Sequence, residues 1–269
     1  MTERLHDILP AWCRQALSWI SVVCLVLLLA PVAARSADMS KTIKEIKPSV
    51  VGIGTYQRTR SPPISFRGTG FAVGDGMSVI TDAHVIPDVV DTENRETLGI
   101  ITGSGTSVTF RAATVVAVDR EHDLVHLRMS AGEPLPAMKI GDSSRALEGQ
   151  EVAFTGFPLG FILGPFHSTH RAMIASIAPL ALPARNSNRL DAKAIAQLNA
   201  PSLIFQLDGT AYPGNSGSPV YDPDTGIVLA VVNSVFVKGI KESAITSPSG
   251  ITYAIPGNHI TDLLKRGFP

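Results

Sequence analysis

The chain of 269 residues is poor in cysteine and in charge. Its two cysteines, Cys13 and Cys24, both lie near the N-terminus, so the remainder has no thiol for a disulfide, a metal thiolate or a nucleophile. Charged residues make up only 17%, and 23 Lys and Arg balance 23 Asp and Glu, so no excess of one sign favours nucleic acid or an anionic membrane. We therefore expect a domain that relies on its own core and has no nucleic-acid partner.

One long apolar run, Leu17–Ala34, follows Arg14. The small residues Val32 and Ala34 fit the positions before a signal-peptidase cut. The run is also just long enough to span a bilayer. We expect residues 1–34 to be a signal peptide or an N-terminal membrane anchor, and residues 35–269 to be exported to the periplasm or the exterior.

Short runs rich in Val, Ile, Thr and Phe alternate with turns that contain many of the 23 Gly and 19 Pro. The runs cover residues 49–56, 70–73, 78–81, 107–118, 124–129, 151–155, 172–177, 203–207, 219–221, 227–237 and 251–255. Helical patterns stand over residues 40–47 and 258–265, at the two ends of this series. So many short strands indicate a closed all-β fold, and residues 183–201 stand out as an insertion between strands.

A serine between two glycines is the strongest chemical signal of the chain. Ser216 stands in the run Gly214-Asn215-Ser216-Gly217-Ser218, and it becomes a nucleophile only if a base and an orienting acid lie elsewhere. His84 in Thr81-Asp82-Ala83-His84 offers the base, and Asp123 offers the acid. The order His, Asp, Ser is that of chymotrypsin-type proteases, and the spacings leave room for half a domain between each pair.

These three residues predict acyl transfer that needs no cofactor. Ser216 attacks a carbonyl group, His84 takes its proton and returns it to the leaving group, and Asp123 orients the imidazole. The backbone N–H groups of Gly214 and Ser216 form an oxyanion hole, because glycine lets the peptide turn its amide inward. An α/β-hydrolase is disfavoured, because that fold spells its motif Gly-x-Ser-x-Gly and places its histidine after the serine.

From about residue 40 to residue 266 the chain resembles the trypsin-like peptidases, and within them the protease domain of the HtrA family. The resemblance is carried by Gly68-Thr69-Gly70-Phe71-Ala72-Val73, Val79-Ile80-Thr81-Asp82-Ala83-His84-Val85, Val118-Asp119-Arg120, Gly156-Phe157-Pro158-Leu159-Gly160 and Gly250-Ile251-Thr252-Tyr253-Ala254-Ile255-Pro256. It implies two six-stranded antiparallel β-barrels with a C-terminal helix, an active site between the barrels, and exposed or unfolded polypeptides as substrates. No stretch resembles the PDZ domain that usually follows in this family. Two positions depart from its pattern, since Asp82 stands where the family usually has Asn, and Ser218 where it has Gly.

The same resemblance implies the substrate pocket. Thr210 forms its floor, and without a carboxylate there to pair with Lys or Arg we expect small or medium apolar side chains to fit. Asn233, Ser234 and Val235 form one wall, where an extended peptide adds as a strand. Two other functions stay open: a catalytically weak or inactive protein of this fold that binds peptides or regulates, and an esterase that uses the same three residues.

Two pairs of histidines lie close together in the sequence, His167 with His170 and His122 with His126. Neither pair has a third ligand at a matching spacing, and the first stands in a predicted loop. We therefore expect ordinary surface histidines and no metal site.

Overall fold

A computed structural model of the chain describes residues 39–105, 107–179, 202–233 and 250–266. These residues belong to one compact unit, Asp38–Pro269. Six strands come first, β1 (Val50–Tyr56), β2 (Ile64–Val73), β3 (Ser78–Asp82), β4 (Thr97–Ser104), β5 (Ser107–Asp119) and β6 (Leu124–Met129). Six more follow, β7 (Glu151–Gly156), β8 (Ser168–Pro179), β9 (Leu203–Leu207), β10 (Pro219–Tyr221), β11 (Val228–Asn233) and β12 (Thr252–Pro256). The helices are α1 (Met39–Ile46), α2 (Gly160–Leu163) and α3 (Asn258–Arg266), with 3-10 turns at Lys47–Ser49, Ala83–Val85 and Ser143–Arg145.

Each set of six strands closes into an antiparallel barrel. The strand order is β1-β2-β3-β6-β5-β4 in the first barrel and β10-β11-β12-β9-β8-β7 in the second. The first barrel closes because β1 pairs with both β2 and β4, and no edge is left unpaired there. The predicted pair of six-stranded barrels with a C-terminal helix is confirmed.

Three apolar clusters explain why whole strands are buried. One fills the first barrel and a second fills the other, whereas the third lies between them and contains Phe71, Phe157 and Tyr221. In β3, Val79 packs in the cluster of the first barrel, and its neighbour Ile80 packs in the cluster between the barrels. Because successive side chains of a strand point to opposite faces, such a strand is apolar on both sides.

Two other segments join the barrels. In the connection between β6 and β7, the Met138 N–H donates to Ala72 O of the first barrel (2.9 Å), and the Lys139 carbonyl accepts from the Val228 N–H of the second (2.8 Å). The helix α3 packs Ile260 and Leu263, both fully buried, into the cluster between the barrels. The helix that follows the second barrel thus packs against both barrels.

The sequence pattern missed β4. This strand contains Gly99 and Gly103, and glycine is depleted in strands because it adds no side chain to the packed faces. Gly99 is required by the pairing with β5, since a Cβ there would overlap the Arg111 carbonyl oxygen. A close approach of two backbones therefore hides the strand from a hydrophobicity pattern.

Two predictions lie outside the described residues, the export segment 1–34 and the insertion 183–201. Among the helices of the described residues, none has the length and apolar character needed to cross a membrane.

Candidate active site

Strand pairing brings His84 and Asp123 together. Asp82 at the end of β3 lies opposite Leu124 at the start of β6, so the residues just beyond these ends meet. The Ala83 N–H donates to the Asp123 carbonyl oxygen (2.8 Å), and the 3-10 turn Ala83–Val85 presents the imidazole. Asp123 itself has φ +55°, an uncommon backbone state for a residue with a side chain, which turns its carboxylate back toward the histidine.

The Asp123 carboxylate is held by three donors. Oδ2 lies 2.6 Å from His84 Nδ1 and accepts a hydrogen bond from Asn233 Nδ2 (2.8 Å), while Oδ1 accepts from the His84 backbone N–H (2.9 Å). Burial alone would raise the pKa of Asp123, but the hydrogen bonds from His84 and Asn233 outweigh it, and the pKa lies below its ordinary value. Because an ionised carboxylate only accepts, Nδ1 carries the hydrogen and Nε2 keeps its lone pair.

Ser216 lies in a tight loop between β9 and β10. The Asn215 N–H donates to Tyr212 O and the Ser218 N–H to Asn215 O, each at 2.9 Å. Gly214 (φ +101°) and Gly217 (φ +84°) flank the serine in conformations that favour glycine. At position 214 a Cβ would also overlap the Phe157 carbonyl oxygen, so both glycines of the predicted motif are structurally required.

Thr69 of β2 fixes this loop from the other barrel. Its N–H donates to Ser216 O (2.9 Å), its hydroxyl donates to Gly214 O (2.6 Å), and the same hydroxyl accepts from the Phe157 N–H (3.1 Å). Thr69 is fully buried. Thr69 is not among the residues that the sequence predicted to act in the site. The two glycines beside it, Gly68 and Gly70, are the one sequence signal for such a contact, because residues without side chains let another backbone come close.

The Gly214 carbonyl thus accepts a hydrogen bond, whereas two backbone N–H groups of the same loop donate none to a described residue. No hydrogen bond within the described residues uses the N–H of Gly214 or of Ser216. Ser216 is almost fully buried, at 7% exposure, and its hydroxyl makes no hydrogen bond with His84 in this part of the chain. The loop therefore offers two backbone donors beside a serine hydroxyl, which is the donor set that a developing oxyanion requires.

Asp82 adds a second carboxyl to this region. Its Oδ2 lies 3.9 Å from His84 Nδ1, and its side chain is fully buried. One side-chain ligand atom each from Asp82, His84 and Asp123 fall within 4.8 Å of one another. The hydrogen bond between His84 and Asp123 accounts for the closeness of these two residues, and Asp82 approaches them from the end of β3.

The residues predicted for the substrate pocket are described only in part. Thr210 is half-buried, and Thr252 Oγ1 fixes both of its neighbours by donating to Gly209 O (2.5 Å) and accepting from the Ala211 N–H (2.9 Å). Asn233 is fully buried with its amide on Asp123, so it supports the carboxylate whatever it contributes to a pocket wall. Ser234 and Val235 lie outside the described residues.

Ser218 departs from the resemblance without disturbing the loop. Its side chain is buried against Gly156 at the end of β7, where any Cβ would overlap its hydroxyl oxygen. The glycine of the Gly156-Phe157-Pro158 run thus makes room for the extra side chain.

The histidine pairs have separate partners. His167 Nε2 lies 2.9 Å from Val50 O, and His170 stacks on Phe154 with ring centroids 4.8 Å apart. Burial lowers the pKa of both imidazoles. His122 lies between Asp119 (3.0 Å) and Ser202 (3.2 Å), whereas His126 is fully buried in β6. The expectation of a surface histidine is therefore wrong at His126, and the expectation of a loop is wrong at His170, which lies in β8.

Comparison with known proteins finds a family model and several relatives that match this chain. The trypsin-like peptidase domain model matches residues 68–231. The chain is 28% identical to the mitochondrial serine protease HTRA2 of Bos taurus over 253 residues, which are 92% of this chain and 47% of that protein. It is 24% identical to serine protease HTRA4 of Homo sapiens over 230 residues, covering 84% and 40%. It is also 24% identical to serine protease Do-like HtrA of Lactococcus lactis over 254 residues, covering 86% and 57%. The chain spans about half the length of these relatives.

The matched residues run from β2 to β11 and cover more than half of the chain. They include His84, Asp123 and Ser216, and the two closed barrels are the architecture that this match implies. The chain belongs to the trypsin-like peptidase domain family, with homologues among the HtrA serine proteases.

Proposed function

We propose that this protein is a serine endopeptidase in which Ser216, His84 and Asp123 form the catalytic triad. One observation carries the proposal. The 2.6 Å contact between His84 Nδ1 and Asp123 Oδ2 leaves Nε2 as a base, while the loop bearing Ser216 holds two backbone N–H groups without partners among the described residues. Base and oxyanion donors are thus prepared on opposite barrels.

The reaction follows from these groups. Ser216 Oγ attacks the peptide carbonyl as its proton passes to His84 Nε2, and the imidazolium is stabilised by Asp123. The N–H groups of Gly214 and Ser216 then receive the oxyanion, each donor lowering the barrier by about 3–4 kcal/mol. His84 returns the proton to the leaving amine, and water releases the acyl group from Ser216 in a second round.

The substrate and the location are parts of the same proposal. Thr210 brings no charge to the pocket floor, which supports cleavage after small or medium apolar residues in exposed or unfolded polypeptides. The apolar segment 1–34 supports export to the periplasm or exterior, either cleaved or as an anchor. N-terminal sequencing of the exported protein distinguishes these two states.

A fluorophosphonate probe tests the nucleophile, because it reacts with an activated serine. We expect the probe to label the wild-type protein and to fail on Ser216→Ala and on His84→Ala. The matched control is Ser218→Ala, in the same loop, which retains labelling. Labelling that survives Ser216→Ala would assign the wrong serine.

A second candidate function is a peptide-binding module that cleaves poorly. It is favoured by the missing hydrogen bond between Ser216 and His84 within the described residues. In triad enzymes this bond often tightens only when substrate is present, so the two candidates differ in turnover. Folded protein that binds peptides but never reacts with the probe would support the module. Hydrolysis of esters but not of matched peptide amides would instead support an esterase.

A further inference from the structure

Asp82 is a fully buried acidic side chain to which the proposed triad assigns no role. It ends β3, and its side chain is fully buried between the 3-10 turn that carries His84 and the loop that carries Ser216. Neither carboxyl oxygen accepts a hydrogen bond of ordinary geometry from a described residue. A carboxylate without donors or a cation beside it is strongly disfavoured inside a protein.

The groups around Asp82 do not supply that compensation. Asp123, on the turn before β6, faces it with a negative charge, and His84 Nδ1 at 3.9 Å gives its hydrogen to Asp123. The backbone N–H of Gly217 acts on the carboxyl from the nucleophile loop, but that N–H already donates to Val232 O (2.9 Å). No Lys or Arg of the described residues acts on it. Burial first, and then the charge of Asp123, raise the pKa of Asp82 well above its ordinary value.

We propose that Asp82 is a positioning residue of the catalytic centre, which keeps its proton at neutral pH and supports the Asp123–His84 pair as a neutral acid. This inference rests on the proposed triad. A protonated carboxyl has one O–H donor and one carbonyl acceptor, as the side chain of Asn has one N–H₂ donor and one carbonyl acceptor. A protonated Asp82 therefore presents the same kinds of donor and acceptor as the Asn that the resemblance places at this position. Its O–H supplies a further donor close to the Asp123 carboxylate, since one oxygen of each carboxyl group and one His84 nitrogen lie within 4.8 Å of one another.

The location of this proton decides whether His84 can act. The reaction needs Nε2 unprotonated before Ser216 is attacked. An ionised Asp82 would place a second negative charge 3.9 Å from Nδ1 and would hold a proton on the imidazole. A neutral Asp82 keeps that proton on itself and leaves His84 free as the base.

The direct test is carboxyl ¹³C NMR of the Ser216→Ala protein with labelled aspartate, in which the Asp82 signal is assigned by its loss in an added Asp82→Asn change. We expect this signal to remain that of a protonated acid at about pH 6, where an ordinary Asp is ionised. An Asp82 signal that titrates near about pH 4 overturns the proposal. This readout does not need catalytic activity, so it decides the inference even if the protein cleaves nothing.

Kinetics test the positioning role. We expect Asp82→Ala to lower kcat about tenfold with little change in KM, and Asp82→Asn to restore most of that loss. The acid limb of kcat/KM against pH should coincide in wild type and Asp82→Asn, because neither carries a charge at position 82. The matched control is Asp75→Asn, an exposed aspartate bonded to Arg128, which should leave kcat and the limb unchanged.

Two kinetic results contradict the proposal. If Asp82 is ionised in the wild type, Asp82→Asn moves the acid limb to lower pH by about one unit or more, because a charge close to His84 has been lost. If folded Asp82→Ala, checked by circular dichroism, equals the wild type in kcat, the side chain positions nothing. If Asp82→Ala fails to fold, the acid limb of Asp82→Asn and the NMR signal still give the answer.

Discussion

Replacing Thr69 by valine tests how the nucleophile loop is held. Valine keeps the shape of threonine but removes the hydroxyl, which donates to Gly214 O and accepts from the Phe157 N–H. Both partners are left buried without a hydrogen bond, at a cost of about 1–3 kcal/mol each. The sum is about 2–6 kcal/mol, which all but the least stable domains survive, since typical stabilities are about 5–15 kcal/mol. We therefore expect Thr69→Val to fold but to unfold at a clearly lower urea concentration.

The same change should lower activity, because the freed Gly214 carbonyl no longer fixes the peptide that presents the oxyanion donor. Loss of one such donor costs about 100- to 1000-fold in kcat, so a loosened donor should cost about 10- to 100-fold, with KM nearly unchanged. The measurements are urea unfolding followed by circular dichroism, and peptide hydrolysis below the transition.

Thr109→Val is the matched control, since Thr109 is an exposed strand residue of the same barrel. Thr69→Ser keeps the hydroxyl and should recover most of both losses. If Thr69→Val matched Thr109→Val in unfolding midpoint and in kcat, the account of the loop would be refuted.

Two further predictions concern other contacts. Asn233→Ala removes the amide that donates to Asp123 Oδ2. We expect kcat to fall about tenfold, because a hydrogen bond to a charged group contributes about 1.5–3 kcal/mol. The control Asn94→Ala, at the surface, should leave kcat unchanged, and equal kcat values for the two variants would contradict the role of Asn233. Glu96 accepts from Thr55 and Arg60, which lowers its pKa from 4.5 to about 2. Because the folded state holds the ionised form, its stabilisation is present above about pH 4.5 and is lost as the pH falls toward about 2. The wild type should exceed Glu96→Gln in unfolding free energy by about 1–2 kcal/mol at neutral pH. A difference of the same size at about pH 2 would contradict the lowered pKa of Glu96. Glu45→Gln, at an exposed position, is the control.

The fold was largely predictable because strand and helix patterns are local. The apolar face of α3, with Ile260 and Leu263, predicted the closing helix, and alternation predicted most strands of both barrels. The strand β4 was not predictable, because the close backbone pairing that requires Gly99 is invisible in a hydrophobicity pattern.

The site was predictable only where residue type limits the chemistry. A serine between glycines, a histidine and an aspartate in a known order pointed to His84, Asp123 and Ser216. Thr69 was not predictable, because its hydroxyl partner Gly214 lies 145 residues away. The amide of Asn233 likewise reaches Asp123 across 110 residues, and no local pattern reports such a contact.

These long-range contacts also set the order in which the candidate site is assembled as the chain is made. The first barrel is complete at Met129, and it already contains the paired His84 and Asp123, but Ser216 and the residue that holds Asp123 from the second barrel are made later. Because a chain is made from its N-terminus, the proposed base His84 and its partner Asp123 are present before the proposed nucleophile Ser216. An unfinished chain therefore lacks the complete candidate site for as long as the second barrel is incomplete.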